Sequence, residues 1–179
     1  MQILNMFPTQ VWVENLDIDN EKFLEKIYKF SKTKESTPRS SVGGYQGYEM
    51  DDIEFCNKVG NLVPRKKDLG KFFIYNWVNI NKKGHKNNRH FHYNSNLYMS
   101  GVYYVKVPKG DCGNIKFWDP RESLQYGNRF VLERYNGGES TERYPVEGDL
   151  WLFPSAFKHS VLPSKVDGDR ICISFNLSF

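Results

Sequence analysis

The chain has 179 residues, which is enough for one domain with a substantial hydrophobic core and too few for two typical domains. Hydrophobic residues make up 39%, charged residues 26% and aromatic residues 16%, a composition that excludes disordered and collagen-like proteins. The 25 basic and 21 acidic side chains leave a formal net charge of +4. This excess is too small for a dedicated nucleic-acid-binding protein, although it leaves nucleic acid open as a partner.

Neither a membrane span nor a disulfide framework is expected. No apolar run approaches the ~20 residues that a spanning helix needs, so we expect a soluble protein with no membrane partner. Cys56, Cys112 and Cys172 are widely spaced and form no Cys-x-x-Cys pair. We therefore expect free thiols and a cytoplasmic location.

The first third of the chain predicts a strand, two helices and a long loop. Residues Thr9–Glu14 alternate as a short strand does, and Asp19 or Asn20 is suited to cap a helix. The apolar residues that follow keep the helical period: Phe23, Leu24, Ile27 and Phe30. The Ser-, Lys- and Gly-rich stretch Ser31–Gly47 predicts a long mobile loop. A second helix is expected over Asp51–Leu62.

From Lys71 onward the sequence predicts short strands separated by Gly, Pro, Asn or Asp. They are Phe72–Ile80, Leu97–Val107, Asn114–Trp118, Arg129–Tyr135, Thr141–Val146, Leu150–Phe153, Ser160–Leu162 and Arg170–Phe179. Asn136-Gly137-Gly138 is a suitable hairpin turn. We predict one mainly β domain over 1–179, with a jelly-roll (double-stranded β-helix) core over 71–179 and one or two supporting helices within 1–70.

Three of the four histidines have a spacing that suits a metal site. His90 and His92 are two residues apart, so in extended backbone both imidazoles project from one face. His159 follows 67 residues later, near a predicted turn. In a jelly roll the ends of distant strands meet, and the three rings can then share one ion. The alternative is a solvated turn, because the segment Asn81–Asn96 is rich in Asn and Lys.

An arginine completes the pattern. Arg170 lies eleven residues beyond His159, at the start of an alternating strand. If that strand runs back beside His159, the guanidinium enters the same cavity, where its two parallel donors suit a carboxylate.

These motifs resemble those of the Fe(II)/2-oxoglutarate-dependent oxygenases, most nearly the members found in phages and bacteria. The shared motifs are Asn76–Asn79, His90–Ser95, Ser100–Tyr104, Asp119–Arg121, Gly148–Ser155 and His159–Asn176. The resemblance covers about Tyr45–Phe179. It implies a jelly-roll fold, Fe(II) as the cofactor, 2-oxoglutarate and O2 as co-substrates, and the cytoplasm of a host cell if the gene belongs to a phage.

The resemblance also implies residue roles. His90, His92 and His159 are the expected metal ligands, and Arg170, with help from Tyr104 and Asn79, is expected to bind 2-oxoglutarate. The superfamily usually has a carboxylate at the place of His92, and Asn94 is a weaker candidate for this second ligand. The implied reaction converts 2-oxoglutarate to succinate and CO2 while an unidentified substrate is hydroxylated.

Two other interpretations stay open from the sequence alone. One is a cupin-like three-histidine metal protein that does not use 2-oxoglutarate, and the other is a structural or binding jelly roll. The basic residues before His90 favour an anionic or nucleic-acid substrate. They are Lys82, Lys83, Lys86 and Arg89. Residues 40–47 and 119–121 are the expected rims of the site. The oligomeric state is not predicted.

Overall fold

Antiparallel strands in two sheets dominate the structure, a computed structural model that describes residues 8–64, 70–121 and 140–178. The strands are β1 (Trp12–Asn15), β2 (Ser41–Val42), β3 (Tyr45–Tyr48), β4 (Phe73–Asn81), β5 (Lys86–His90), β6 (Leu97–Lys106), β7 (Ile115–Trp118), β8 (Ser140–Arg143), β9 (Asp149–Pro154), β10 (His159–Val161) and β11 (Arg170–Ser178). The major sheet has the order β1-β9-β6-β11-β4-β3 and the minor sheet β2-β5-β10-β7-β8. The predicted mainly β jelly roll is confirmed.

Two helices, α1 (Asn20–Thr33) and α2 (Ile53–Leu62), pack on the outer face of the major sheet. Each begins at an aspartate cap: Asp19 accepts a hydrogen bond from the Lys22 N–H, and Asp52 accepts one from the Phe55 N–H. Both predicted helices are confirmed. Because their apolar stripes cover one face of the sheet, the other face is left for a cavity between the sheets.

The central strand β11 has two chemically different faces. Ile171, Ile173 and Phe175 point toward the helices and belong to the main core. The alternate residues Arg170 and Cys172, like Ser174, line a cavity on the opposite face. Since side chains of a strand alternate between faces, one segment builds both the core and the site.

The first 70 residues contribute more to the sheets than the sequence indicates. β1 pairs with β9, β2 with β5 and β3 with β4. The prediction of a continuous loop over Ser31–Gly47 is therefore wrong for residues 31–33, which end α1, and for residues 41–42 and 45–47, which belong to β2 and β3. The same holds for the polar segment Asn81–Asn96, in which residues 86–90 form β5. The chain turns between β2 and β3 at Gly43, where φ is +83°.

Some of the predicted strands and turns lie partly or wholly outside the strands that the structure describes. The strand Arg129–Tyr135 and the turn Asn136-Gly137-Gly138 lie outside the described residues, and of the predicted strand Thr141–Val146 only residues 141–143 belong to β8. No helix in the described part of the chain is long and apolar enough to cross a membrane.

Candidate active site

His90 and His159 are neighbours because the strands that carry them pair side by side. His159, at the start of β10, lies directly opposite His90 at the end of β5. Their ring centroids are 4.3 Å apart, and the His92 ring lies 5.2 Å from that of His90 and 5.3 Å from that of His159. The ligand nitrogens of all three lie within 4.8 Å of one another. The three predicted metal ligands thus form one cluster.

Backbone carbonyls fix the tautomer of two of these rings. The carbonyl of Asn88 lies 2.7 Å from His90 Nδ1, and that of Phe157 lies 2.8 Å from His159 Nδ1. A carbonyl oxygen only accepts, so Nδ1 carries the proton in both rings. The lone pair of each Nε2 is then available to a metal ion, the arrangement found in most histidine-ligated sites.

The third ring is held by a side-chain network. The Asn176 Oδ1 atom lies 2.6 Å from His92 Nδ1 and also accepts a hydrogen bond from the Ser100 hydroxyl at 2.7 Å. Ser100 Oγ lies 3.2 Å from the same His92 nitrogen. Asn176 and Ser100 face each other across β11 and β6. An amide oxygen only accepts, so His92 presents Nε2 to the cluster as the other two rings do.

All three imidazoles are neutral near pH 7. Burial lowers the pKa of His90 and His92, and in His92 the hydrogen bond to Asn176 partly opposes this effect. Burial and the neighbouring His90 lower the pKa of His159 to about 3. The cluster therefore offers uncharged nitrogen ligands, which suit divalent iron, zinc, nickel or copper.

Arg170 lies in the same cavity and is a buried cation with no acidic partner among the residues that the structure describes. Its side chain is 1% exposed, and neither Nε nor Nη1 has a hydrogen-bond partner within the described ranges. The guanidinium carbon lies 5.2 Å from the centroid of the Tyr104 ring. The Tyr104 hydroxyl is also buried, and its proton finds no acceptor among the described residues; burial raises its pKa to about 12, although the charge of the neighbouring Arg170 opposes this shift. Three buried donor groups, Arg170 Nε and Nη1 and the Tyr104 hydroxyl, therefore have no acceptor among the described residues.

The cavity that contains these groups has a volume of about 480 Å³, part of it open to solvent. All six predicted site residues line this cavity, and Trp77 and Phe153 line it as well. None of the described lining side chains is acidic. The amide of Asn79 bonds to Gln46 and Ser174. Asn94, the weaker candidate for a ligand, is exposed and does not line the cavity.

Residues 75–176 match the family described as Putative 2OG-Fe(II) oxygenase. The chain belongs to this family. The oxygenase is therefore an Fe(II)-dependent enzyme that couples the decarboxylation of 2-oxoglutarate to succinate and CO2 with hydroxylation of a second substrate.

Solved structures similar to this oxygenase share its fold. A prolyl-4-hydroxylase from Pseudomonas putida has a TM-score of 0.67 at 14% identity, over 95% of this chain and 92% of that chain. HygX from Streptomyces hygroscopicus, with nickel, 2-oxoglutarate and hygromycin B bound, has a TM-score of 0.65 at 12% identity, over 95% and 83%. The viral collagen prolyl hydroxylase of Paramecium Bursaria Chlorella virus-1, in a 2-oxoglutarate complex, has a TM-score of 0.61 at 15% identity, over 93% and 94%. No curated protein matches the chain in sequence.

The oxygenase's own residues fit both groups that its family uses. Three neutral imidazoles with converging Nε2 atoms suit Fe(II). The unpaired guanidinium and the unpaired phenol hydroxyl suit a carboxylate, which accepts from both. Position 92 is a histidine, whereas the superfamily usually has a carboxylate there. The described lining residues therefore include no acidic side chain that could bind a metal ion.

Sequence reasoning missed the residues that hold His92. Asn176 belongs to a quoted motif but received no role, and Ser100 received none either. One signal was available, because polar residues alternate with apolar ones along β11 and a buried strand of this kind has one polar face. The contact between the two residues depends on strand register, which the sequence does not give.

Proposed function

We propose that His90, His92 and His159 bind the iron of this oxygenase and that Arg170 and Tyr104 bind the far carboxylate of 2-oxoglutarate. Asn79 lies beside this carboxylate site. The product of the reaction is a hydroxylated organic molecule. We further propose that the enzyme works in the cytoplasm, since its three cysteines are free thiols, which a reducing compartment preserves.

The unpaired buried guanidinium of Arg170 is the observation that carries this proposal. A buried charge without a partner destabilises a protein by several kcal/mol, so such groups are normally paired. A carboxylate that enters the cavity supplies the missing charge and accepts hydrogen bonds from Arg170 and Tyr104. A three-histidine protein that does not use 2-oxoglutarate, or a structural jelly roll, would keep the guanidinium unpaired.

The side chains around the site have separate tasks. When bound, iron and 2-oxoglutarate supply the oxidising chemistry that uses O2. The neutral imidazoles add no negative charge, so the charge of a bound metal ion would be balanced by the carboxylate of the co-substrate that Arg170 does not bind. With its pKa near 12, Tyr104 keeps its proton and donates it in a hydrogen bond. Trp77 and Phe153 form apolar walls that reduce the access of water.

Equilibrium binding of 2-oxoglutarate tests the proposal. We expect an anaerobic titration with Fe(II) and 2-oxoglutarate to give a visible charge-transfer band in the wild type and none in Arg170→Met. Tyr104→Phe removes one of the donors and should weaken binding about 10-fold. Arg143→Met is the matched control, because Arg143 is exposed on β8, does not line the cavity, and bonds to Thr141 and Glu142 of its own strand.

Stability measurements separate lost binding from misfolding. Replacing an unpaired buried cation by an apolar side chain is neutral or stabilising. Ligand-free Arg170→Met should therefore unfold at the same urea concentration as the wild type or a higher one. If a folded Arg170→Met variant bound 2-oxoglutarate as tightly as the wild type, the role of Arg170 would be refuted. Uncoupled succinate formation, measured with no substrate added, checks the reaction itself.

A further inference from the structure

We propose that the outer face of the minor sheet, which is the face opposite the cavity, binds single-stranded nucleic acid. Arg89 and Lys116 hold phosphates of the backbone there. The rings of Phe91 and Tyr93 stack on unpaired bases. None of these four residues lines the cavity, so the proposal goes beyond the proposed function and concerns a partner on which the enzyme docks.

Strand alternation separates the two faces of the minor sheet. On β7, Ile115 lines the cavity, so the side chains of Lys116 and Trp118 point outward. On β5, His90 lines the cavity and its neighbour Arg89 points outward. Both helices pack on the major sheet, so no helix in the described part of the chain covers this outer face.

The indole ring of Trp118 brings two cations together on this face. The Arg89 Cζ atom lies 4.1 Å from the ring centroid, and the Lys116 Nζ atom lies 4.9 Å from it. The two cations come from β5 and β7, which flank β10, and the ring that they share keeps them close. A guanidinium stacked on a ring keeps its N–H edge free, and this edge binds phosphate in a bidentate manner.

Basic side chains outnumber acidic ones on this face. Its strands carry Lys86, Arg89 and Lys116, and the only acidic side chain on it within the described ranges is Glu142, 3.5 Å from the Lys116 Nζ atom. Lys86 points outward because its neighbour Asn87 lines the cavity. A local excess of positive charge attracts a polyanion even though the net charge of the whole chain is only +4.

Two exposed aromatic rings extend the face beyond the cations. Phe91 and Tyr93 follow Arg89 at every second residue and are 48% and 86% exposed. They alternate with His92, whose ring belongs to the metal cluster, so both project to the outer side. Aromatic rings beside cations bind single strands, because every base has a face that stacks. An acidic peptide would pair with the cations but would leave these rings unused.

Fluorescence anisotropy of a labelled oligothymidylate of about 20 nucleotides tests this proposal on the metal-free protein. At physiological salt we expect a Kd below about 100 µM, within the range of binding that does not depend on sequence. Arg89→Gln and Lys116→Gln should each weaken binding. Each should also lower the slope of log Kd against log salt concentration by about 0.7, because one phosphate contact is lost.

The matched control is Arg143→Gln, which should change neither the Kd nor the slope. Arg143 is exposed on the same sheet but lies opposite Ile115, which lines the cavity, so it belongs to the other face. Phe91→Ala and Tyr93→Ala should each raise the Kd about 5-fold or more and leave the slope unchanged, because they remove stacking and no charge. Urea midpoints equal to that of the wild type show that these changes act on binding rather than on folding.

Three results would overturn the proposal: no binding of oligothymidylate by the wild type, a loss in Arg143→Gln as large as that in Arg89→Gln, or equal binding of poly-L-glutamate, which has charge but no bases. Binding only to vesicles of phosphatidylserine and phosphatidylcholine would also overturn it, because the face would then belong to a membrane surface. Comparison with oligouridylate identifies the preferred partner as DNA or RNA. The titration uses neither iron nor 2-oxoglutarate, so its outcome is separate from that of 2-oxoglutarate binding by Arg170.

Discussion

Asn176 is expected to control how tightly the enzyme holds its metal, although it is not itself a ligand. Its Oδ1 atom lies 2.6 Å from His92 Nδ1 and fixes both the tautomer and the orientation of the ring. Removing such a partner of a ligating histidine typically costs 10–100-fold in metal affinity. In Asn176→Ala, Ser100 Oγ stays within 3.2 Å of the ring in the wild-type geometry. We therefore expect about a 10-fold loss for Asn176→Ala and about a 100-fold loss for the double variant with Ser100→Ala.

Replacement by aspartate separates positioning from packing. Asn176→Asp keeps the size and the acceptor atom, and its charge strengthens the hydrogen bond to the imidazole. We expect it to bind metal at least as tightly as the wild type. Ser174→Ala is the matched control, because Ser174 faces the same cavity from β11 but bonds to Asn79 rather than to a histidine.

Anaerobic titration with Co(II), followed by its visible absorption, measures the affinity without 2-oxoglutarate or turnover. The intensity of the absorption also reports coordination geometry, which a purely structural role of Asn176 would not change. Equal affinity of Asn176→Ala and the wild type would refute the argument. Equally weak binding by the alanine and aspartate variants would refute it as well, since it would mean that only the original amide is tolerated.

Two further predictions concern stability. His159 takes up a proton near pH 3 when folded and near 6.5 when unfolded, so the unfolded chain holds more protons between these values. The free energy of unfolding of the metal-free protein should therefore fall as the pH drops, by about 1.4 kcal/mol at pH 5.5 for this group, and urea titrations of His159→Gln should show a smaller fall. Phe55 is 2% exposed and contacts Phe23, Tyr103 and Phe175, so Phe55→Ala should cost about 3–5 kcal/mol in urea unfolding. Phe55→Leu should leave the Kd for Co(II) unchanged, and a changed Kd would show that the outer core also shapes the metal cluster.

The sequence predicted those residues of the site that belong to short motifs. His90, His92, His159 and Arg170 were identified from their spacing and from the resemblance to the oxygenases, and the structure gathers them around one cavity. The assignment of metal and 2-oxoglutarate to these residues stays a prediction that the binding experiments test.

Other features, such as strand β5, could not be predicted from the sequence because they depend on contacts between distant segments. β5 has the sequence Lys-Asn-Asn-Arg-His, which shows no apolar alternation, and it is a strand because its backbone pairs with β2 and β10. Its buried Asn87 bonds to Asn81 and Ser40 rather than to apolar neighbours. Strand propensity largely reflects packing on an apolar surface, so it fails where a strand faces a polar cavity.

The two faces of β11 have a consequence for engineering the enzyme. Ile171, Ile173 and Phe175 are fixed by the core, whereas Cys172 and Ser174 border the cavity. Libraries confined to these last two positions should reshape substrate selectivity while leaving the helix-packed interior intact. This single strand is thus a compact target for directed evolution.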